Sequence, residues 1–187
     1  MAEEKLKNTS METHINIFQP IQLGKETFHP ISADADAFIM DWSLEKGGSV
    51  PAHFHAYMSE HFSVTEGEAE FMVKGEKIVK RAGEELFVPL GDVHGIRNKS
   101  KNPVRMRVTY SPASDTRRMF EIIFELNAQA PGSVMNMVKY FYIAPRIGLK
   151  PFSTPSPAII NGLLNGIASF MGFVGGWKKY VRTFGNT

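Results

Sequence analysis

The sequence predicts a mainly β protein, a sandwich or barrel of short antiparallel strands followed by an α-helical extension. Three observations carry this expectation. Before about Ser114, apolar residues recur at every second position in short runs, the pattern of strands with one buried face. Clusters of Gly, Pro, Asp and Asn separate the runs and favour turns. Beyond Ser114 the apolar residues return at helical spacing, and the charge changes with them. Residues 1–114 hold 13 basic and 16 acidic side chains, whereas residues 115–187 hold 8 and 3. The chain is therefore divided into an N-terminal arm with leading strands (1–34), a β-barrel (35–114) and a helical extension (115–187).

Each strand is justified by its own alternation. Phe38, Met40, Trp42 and Leu44 share one face and leave Ile39, Asp41 and Ser43 on the other. Phe62 and Val64 alternate with His61, Ser63 and Thr65, and Ala69, Phe71 and Val73 with Glu70 and Met72. Val104, Met106, Val108 and Tyr110 form the last such face, with Arg105 and Arg107 turned outward. Glu45-Lys46-Gly47-Gly48, Glu66-Gly67-Glu68, Lys74-Gly75-Glu76 and Asn98 to Pro103 supply the links.

Composition removes several functional classes. Hydrophobic residues make up 43% of the 187 residues, enough for a core, and the net charge of +2 is too small for a protein that coats nucleic acid. The absence of Cys excludes disulfides, thiolate metal sites and Cys nucleophiles. MAEEKLKNTS at the start has no apolar run, so no secretory signal is visible and a cytoplasmic protein is expected.

The chemistry lies with the histidines, of which there are six: His14, His29, His53, His55, His61 and His94. His53 and His55 are two apart in a segment that should be extended, so both rings can face one ion. Glu60 shares the face of Phe62 and Val64. An inward carboxylate is costly unless it is paired or ligates a metal. His94 follows the tight Pro89-Leu90-Gly91-Asp92 segment and should face inward with Ile96. Three imidazoles and a carboxylate suit one divalent transition metal, Fe, Mn, Ni, Co, Cu or Zn, with positions left open for water or substrate. The competing account is a buried polar cluster without an ion, in which Glu60 accepts hydrogen bonds from the histidines. His61, next to Glu60, falls on the outer face.

These residues resemble the motifs of the cupin superfamily. The first, G-x5-H-x-H-x(3,4)-E-x6-G, is filled by Gly47, His53, His55, Glu60 and Gly67. The second, G-x5-P-x-G-x2-H-x3-N, is filled by Gly83, Pro89, Gly91, His94 and Asn98, after 15 intervening residues. The resemblance covers about residues 35–125. It implies an antiparallel jelly-roll barrel, with His53, His55, Glu60 and His94 as metal ligands and Asn98 as a structural residue. Most of the apolar inward residues should be core. Phe38, Met40, Trp42, Phe62, Phe71 and Met106 are the candidates for a substrate pocket above the metal.

In the extension, Asp115 is placed to cap a helix running through Leu126 and ending before Pro131. A second helix is expected from Ser133, with Val134, Met137, Val138 and Phe141 on one face and Pro145 as its end. Pro151, Pro155 and Pro157 make a stiff connector. A third helix over 155–184 is expected, because Asn161, Asn165, Ser169, Gly172 and Gly176 form a small or polar stripe beside a wide apolar face. No charged residue occurs from Pro151 to Trp177. Packing on the barrel or on a second subunit, giving a homodimer, is the first expectation. Peripheral membrane contact is the second, and a membrane span is a distant third.

For function, inward-facing ligands argue against a purely structural barrel. The leading expectation is a metal-dependent cupin acting on a small, largely apolar organic substrate, an oxidoreductase of dioxygenase type, with Glu60 as ligand and general base. The alternative is a non-catalytic binding or sensing cupin that uses the same pocket.

Overall fold

A computed structural model describes residues 16–133, 135–150, 153, 155 and 158–185, with the backbone alone at 158–165. His14, Val134, Pro151, Pro157 and the side chains of Asn161 and Asn165 thus lie outside the described residues.

Ten strands follow in order: β1 (Ile21–Leu23), β2 (Glu26–Ala33), β3 (Phe38–Leu44), β4 (Ser49–His53), β5 (Ser59–Glu66), β6 (Glu68–Val73), β7 (Glu76–Arg81), β8 (Glu85–Val88), β9 (His94–Arg97) and β10 (Val104–Ser111). They form two antiparallel sheets, one ordered β1-β2-β3-β10-β5-β8 and the other β4-β9-β6-β7. This is a mainly antiparallel β fold of the jelly-roll kind. The inner faces meet where Phe62 of β5 packs on Phe71 of β6, ring centroids 5.1 Å apart.

Strand parity accounts for the core. In β3 the buried positions are Phe38, Met40, Trp42 and Leu44, and their neighbours are half-buried. In β10 they are Val104, Met106 and Val108, while Arg105 and Arg107 are exposed and pair with Glu66 and Asp41. Each pair joins adjacent strands on the solvent side, because β10 lies between β3 and β5. Gly67 closes the β5–β6 turn with φ +80°, and a Cβ there would sit 2.8 Å from the Pro103 carbonyl oxygen, so only glycine fits. Asn98 is buried. Its amide donates to the carbonyls of Leu44 and Asn102, both at 2.8 Å, and its Oδ1 accepts from the Ser100 amide at 2.9 Å. It pins the turn after β9 to the end of β3.

The extension holds α1 (Thr116–Gln129), α2 (Met135–Ile143), a 3₁₀ turn (Ala144–Ile147), α3 (Ala158–Val174) and α4 (Lys178–Gly185). Three expectations are corrected. The first helix ends at Gln129, before Pro131 as expected, but Asp115 makes no side-chain cap; its Oδ2 instead accepts from the Lys150 amide at 2.8 Å. The carboxylate thus ties the connector to the start of α1.

The long third helix is two. Residues 175–177 form a turn between α3 and α4, where Gly176 has φ +65° and the Trp177 amide reaches back to the Gly172 carbonyl. A burial expectation also fails within the chain: Trp177 and Phe184 are buried, but Phe170, Phe173 and Val174 are exposed. The helices pack where bulk is missing. A Cβ on Gly172 would collide with the Tyr142 ring, so this glycine lets α3 approach α2. No helix among the described residues is long and apolar enough to cross a membrane.

Candidate metal centre

The ligating atoms of His53, His55, Glu60 and His94 all lie within 4.8 Å of one another. Three parts of the barrel bring them together. His53 ends β4 and pairs in register with His94, the first residue of β9. Glu60 points inward from β5 with Phe62 and Val64, as parity requires. His55 lies past the end of β4, where the chain stays extended because Phe54 forms an antiparallel bridge with Ser153. The His55 carbonyl then accepts from the Gly91 amide at 2.7 Å, which joins the two segments that carry ligands.

Ring orientation is set by backbone carbonyls. Nδ1 of His53 lies 2.9 Å from the Pro51 carbonyl, and Nδ1 of His94 lies 2.9 Å from that of Asp92. A carbonyl can only accept, so both Nδ1 atoms carry a proton, and each ring in its neutral form would hold its lone pair on Nε2. Nε2 of His94 is 3.2 Å from one oxygen of Glu60, and Nε2 of His55 is 2.6 Å from the other.

Burial alone would raise the Glu60 carboxyl. The hydrogen bonds from His55 and His94 overcome it and hold the group down at about 2. Burial and then the neighbouring His94 push His53 down to about 4, which keeps it in the neutral, ligating form. His94 is also opposed by burial, but Glu60 raises it above the usual histidine value. Nε2 of His55 and His94 thus faces Glu60 as a donor; with that proton released, the same Nε2 atoms and the ionised carboxylate make a donor set that fits a divalent transition metal.

Three of the four, His53, His55 and Glu60, form part of the wall of a cavity of about 490 Å³ that is otherwise largely apolar, and His94 lies buried behind them. Of the six pocket candidates, Met40, Trp42 and Phe62 line it. Phe38, Phe71 and Met106 do not: they are fully buried in the core, where Phe38 stacks on Phe120 at 5.0 Å. They share a face with the lining residues but are covered by other side chains.

The rest of the lining comes from elsewhere in the chain. Glu26 and Phe28 project from β2, Met58 precedes β5, Phe120 sits on α1, and Met137 on α2. The alternation of Glu26 and Phe28 was a readable signal, since it places both on the face that meets Trp42; the helical contributions had none. Burial pushes the Glu26 carboxyl up to about 7, with the adjacent Trp42 indole pulling it back. Tyr110 lies opposite Glu60 in the β10–β5 register and also lines the cavity. Burial, then the charges of Glu60 and Glu26, hold its phenol far above its usual range. His61 is partly exposed and pairs with Glu85 at 3.3 Å, away from the cluster.

Residues 40–110 match the sequence profile of the cupin domain. The chain carries a cupin domain. Three curated relatives match parts of this cupin. A protein of Aquifex aeolicus (strain VF5), described only as uncharacterized, is 37% identical over 70 residues, 37% of this chain and 56% of the relative. The tetracenomycin polyketide synthase protein TcmJ of Streptomyces glaucescens is 32% identical over 75 residues, covering 40% and 50%. The polyketide synthase CurC of Streptomyces cyaneus is 30% identical over 84 residues, covering 44% and 54%. The chain spans about half the length of the curated relatives it matches. Among solved structures, an RmlC-like cupin from Shewanella frigidimarina NCIMB 400 superimposes with a TM-score of 0.49 at 24% identity, covering 54% of this chain and 88% of that one.

Proposed function

We propose that this cupin is a metal-dependent enzyme that acts on a small, largely apolar organic molecule, with oxidoreductase chemistry of the dioxygenase kind. The observation that carries the reading is the position of the donor set, three of whose four residues line an apolar cavity large enough for such a molecule. The names of two curated relatives favour a polyketide as the substrate class.

His53, His55, Glu60 and His94 would hold the ion. When bound, it supplies Lewis acidity and, if it is iron, manganese, nickel, copper or cobalt, access to a change of valence. The chain does the rest. Met40, Trp42, Phe62 and Phe120 bind the apolar body of the substrate and exclude water. The hydrogen bonds that keep Glu60 ionised also make it a weak base, which weighs for its role as a ligand. Glu26, a carboxyl that titrates at about 7 on the same cavity, is better matched to exchange a proton near neutrality.

The test is anaerobic reconstitution of metal-free protein with iron, nickel, manganese or copper, followed by oxygen-consumption assays with flavonols, diketones and aromatic polyketides. Oxygen uptake with at least one metal, abolished in His94→Ala, is the expected result. Silence with every metal, alongside tight binding of an unmodified apolar ligand, would replace catalysis with binding or sensing.

A further inference from the structure

The last third of the chain combines two features that the cupin domain does not use. One is an apolar face on α3. Ile167 is 48% exposed, Phe170 68%, Phe173 73% and Val174 69%. At 100° per residue these four fall on one side of the helix, while Gly172 packs on Tyr142 of α2 and Ser169 accepts from Arg146 at 2.8 Å. Single exposed apolar residues are ordinary, but a contiguous face with two phenylalanines is a contact surface.

The second feature is charge. Residues 126–187 contain Lys139, Arg146, Lys150, Lys178, Lys179 and Arg182 and not one Asp or Glu. Among the described residues, the basic groups of the extension that form ion pairs are Arg117 and Arg118, both with Glu121 of α1. The six later cations therefore present an uncompensated positive field. Lys178 and Lys179 start α4, directly after the turn that follows Phe173 and Val174.

We propose that α3 and the start of α4 dock this protein on an anionic lipid bilayer surface, with Phe170, Phe173 and Val174 entering the headgroup region and Lys178, Lys179 and Arg182 meeting lipid phosphates and carboxylates. Exposed aromatic side chains flanked only by Lys and Arg match that surface in both of its properties. A second copy of the chain matches it in one. Two-fold pairing through the same face would bring the cationic sets towards each other without an acid to answer them.

The experiment is co-sedimentation of the full-length protein with vesicles of phosphatidylcholine alone and of phosphatidylcholine mixed with phosphatidylserine. The protein should pellet with the mixed vesicles at low salt, and progressively less as salt rises. Lys178→Glu with Lys179→Glu should weaken binding on the order of tenfold or more. Phe170→Ser with Phe173→Ser should abolish binding while leaving the thermal unfolding midpoint unchanged, because neither ring is part of the core. Equal binding to both vesicle types, no binding to either, or binding that survives the loss of both phenylalanines would overturn the proposal. So would a dimer in light scattering that the double phenylalanine variant converts to a monomer, since the face would then be a subunit interface.

Discussion

Phe62 and Phe170 both sit on regular elements among apolar neighbours, yet one is 1% exposed and the other 68%. The difference lies in what each element has opposite it. A strand of the barrel turns alternate side chains towards a second sheet supplied by the same chain, so Phe62 finds Phe71 across the interior. The helix α3 meets α2 and the 3₁₀ turn along one side, and its outer residues Phe170, Phe173 and Val174 stay exposed in the described chain. A closed β interior can also hold costly groups, and Glu60 is kept there by two histidines. The helical extension holds its cost at the surface instead, as an apolar face left in water. Burial in one region and exposure in the other thus mark two kinds of surface, an enclosed lining that carries the donor cluster and an outward apolar face.

The largest effect that would break this contrast is on stability. Phe62→Ala should cost about 3–5 kcal/mol in denaturant unfolding, since it removes a fully buried ring and leaves a void between the sheets. A loss below 1 kcal/mol, on the order of a surface change, would mean that the two sheets are not packed as described. Next is His55→Ala, which should lower metal affinity by more than about 100-fold, read as metal content by elemental analysis of protein prepared without chelator. Unchanged metal content would remove His55 from the ligand set.

Glu26 sharpens the contrast through pH. Its carboxyl is pushed up to about 7 in the fold against an ordinary value of 4.5, so the folded chain holds the proton more tightly than the unfolded one. Its contribution to stability therefore worsens as pH rises from 4.5 to about 7, and the full penalty stands above that. Glu26→Gln should be more stable than the parent by about 1–3 kcal/mol at alkaline pH and equal to it at acid pH. Unfolding measured at the two pH extremes checks this, and a pH-independent difference would place Glu26 in a wetter setting. The smallest effect belongs to the other region. Phe170→Ala should change stability by less than about 0.5 kcal/mol, and a larger loss would show that the exposed face has a partner within the chain.

Much of the site was legible in advance because a strand has a period of two. Once Phe62 and Val64 were placed inward, Glu60 had to follow, and the same parity kept His61, Arg105 and Arg107 outside. The spacing of His53, His55, Glu60 and His94 was enough to name the four residues that the fold gathers. Parity says which face a side chain joins, however, and not whether another residue covers it there. Phe38 and Met106 share faces with Met40 and Tyr110, which line the cavity, yet neither reaches it.

Alternation within each strand, the two His-bearing motifs and the change of texture near Ser114 are local properties, so the sequence by itself determined the β domain, its inward face and the four residues of the donor cluster. The cavity was decided by tertiary structure. Its walls join Glu26 and Phe28 of β2 to Phe120 of α1 and Met137 of α2, residues that only chain packing brings together. Packing also decided that Asp115 holds the Lys150 amide rather than capping its own helix. The same holds for α3, where the periodicity defines an apolar face but the close approach at Gly172 helps select which part of it α2 covers. Helical spacing fixes relative directions around an axis, and the rotation of that axis against its neighbours depends on contacts that no local pattern contains.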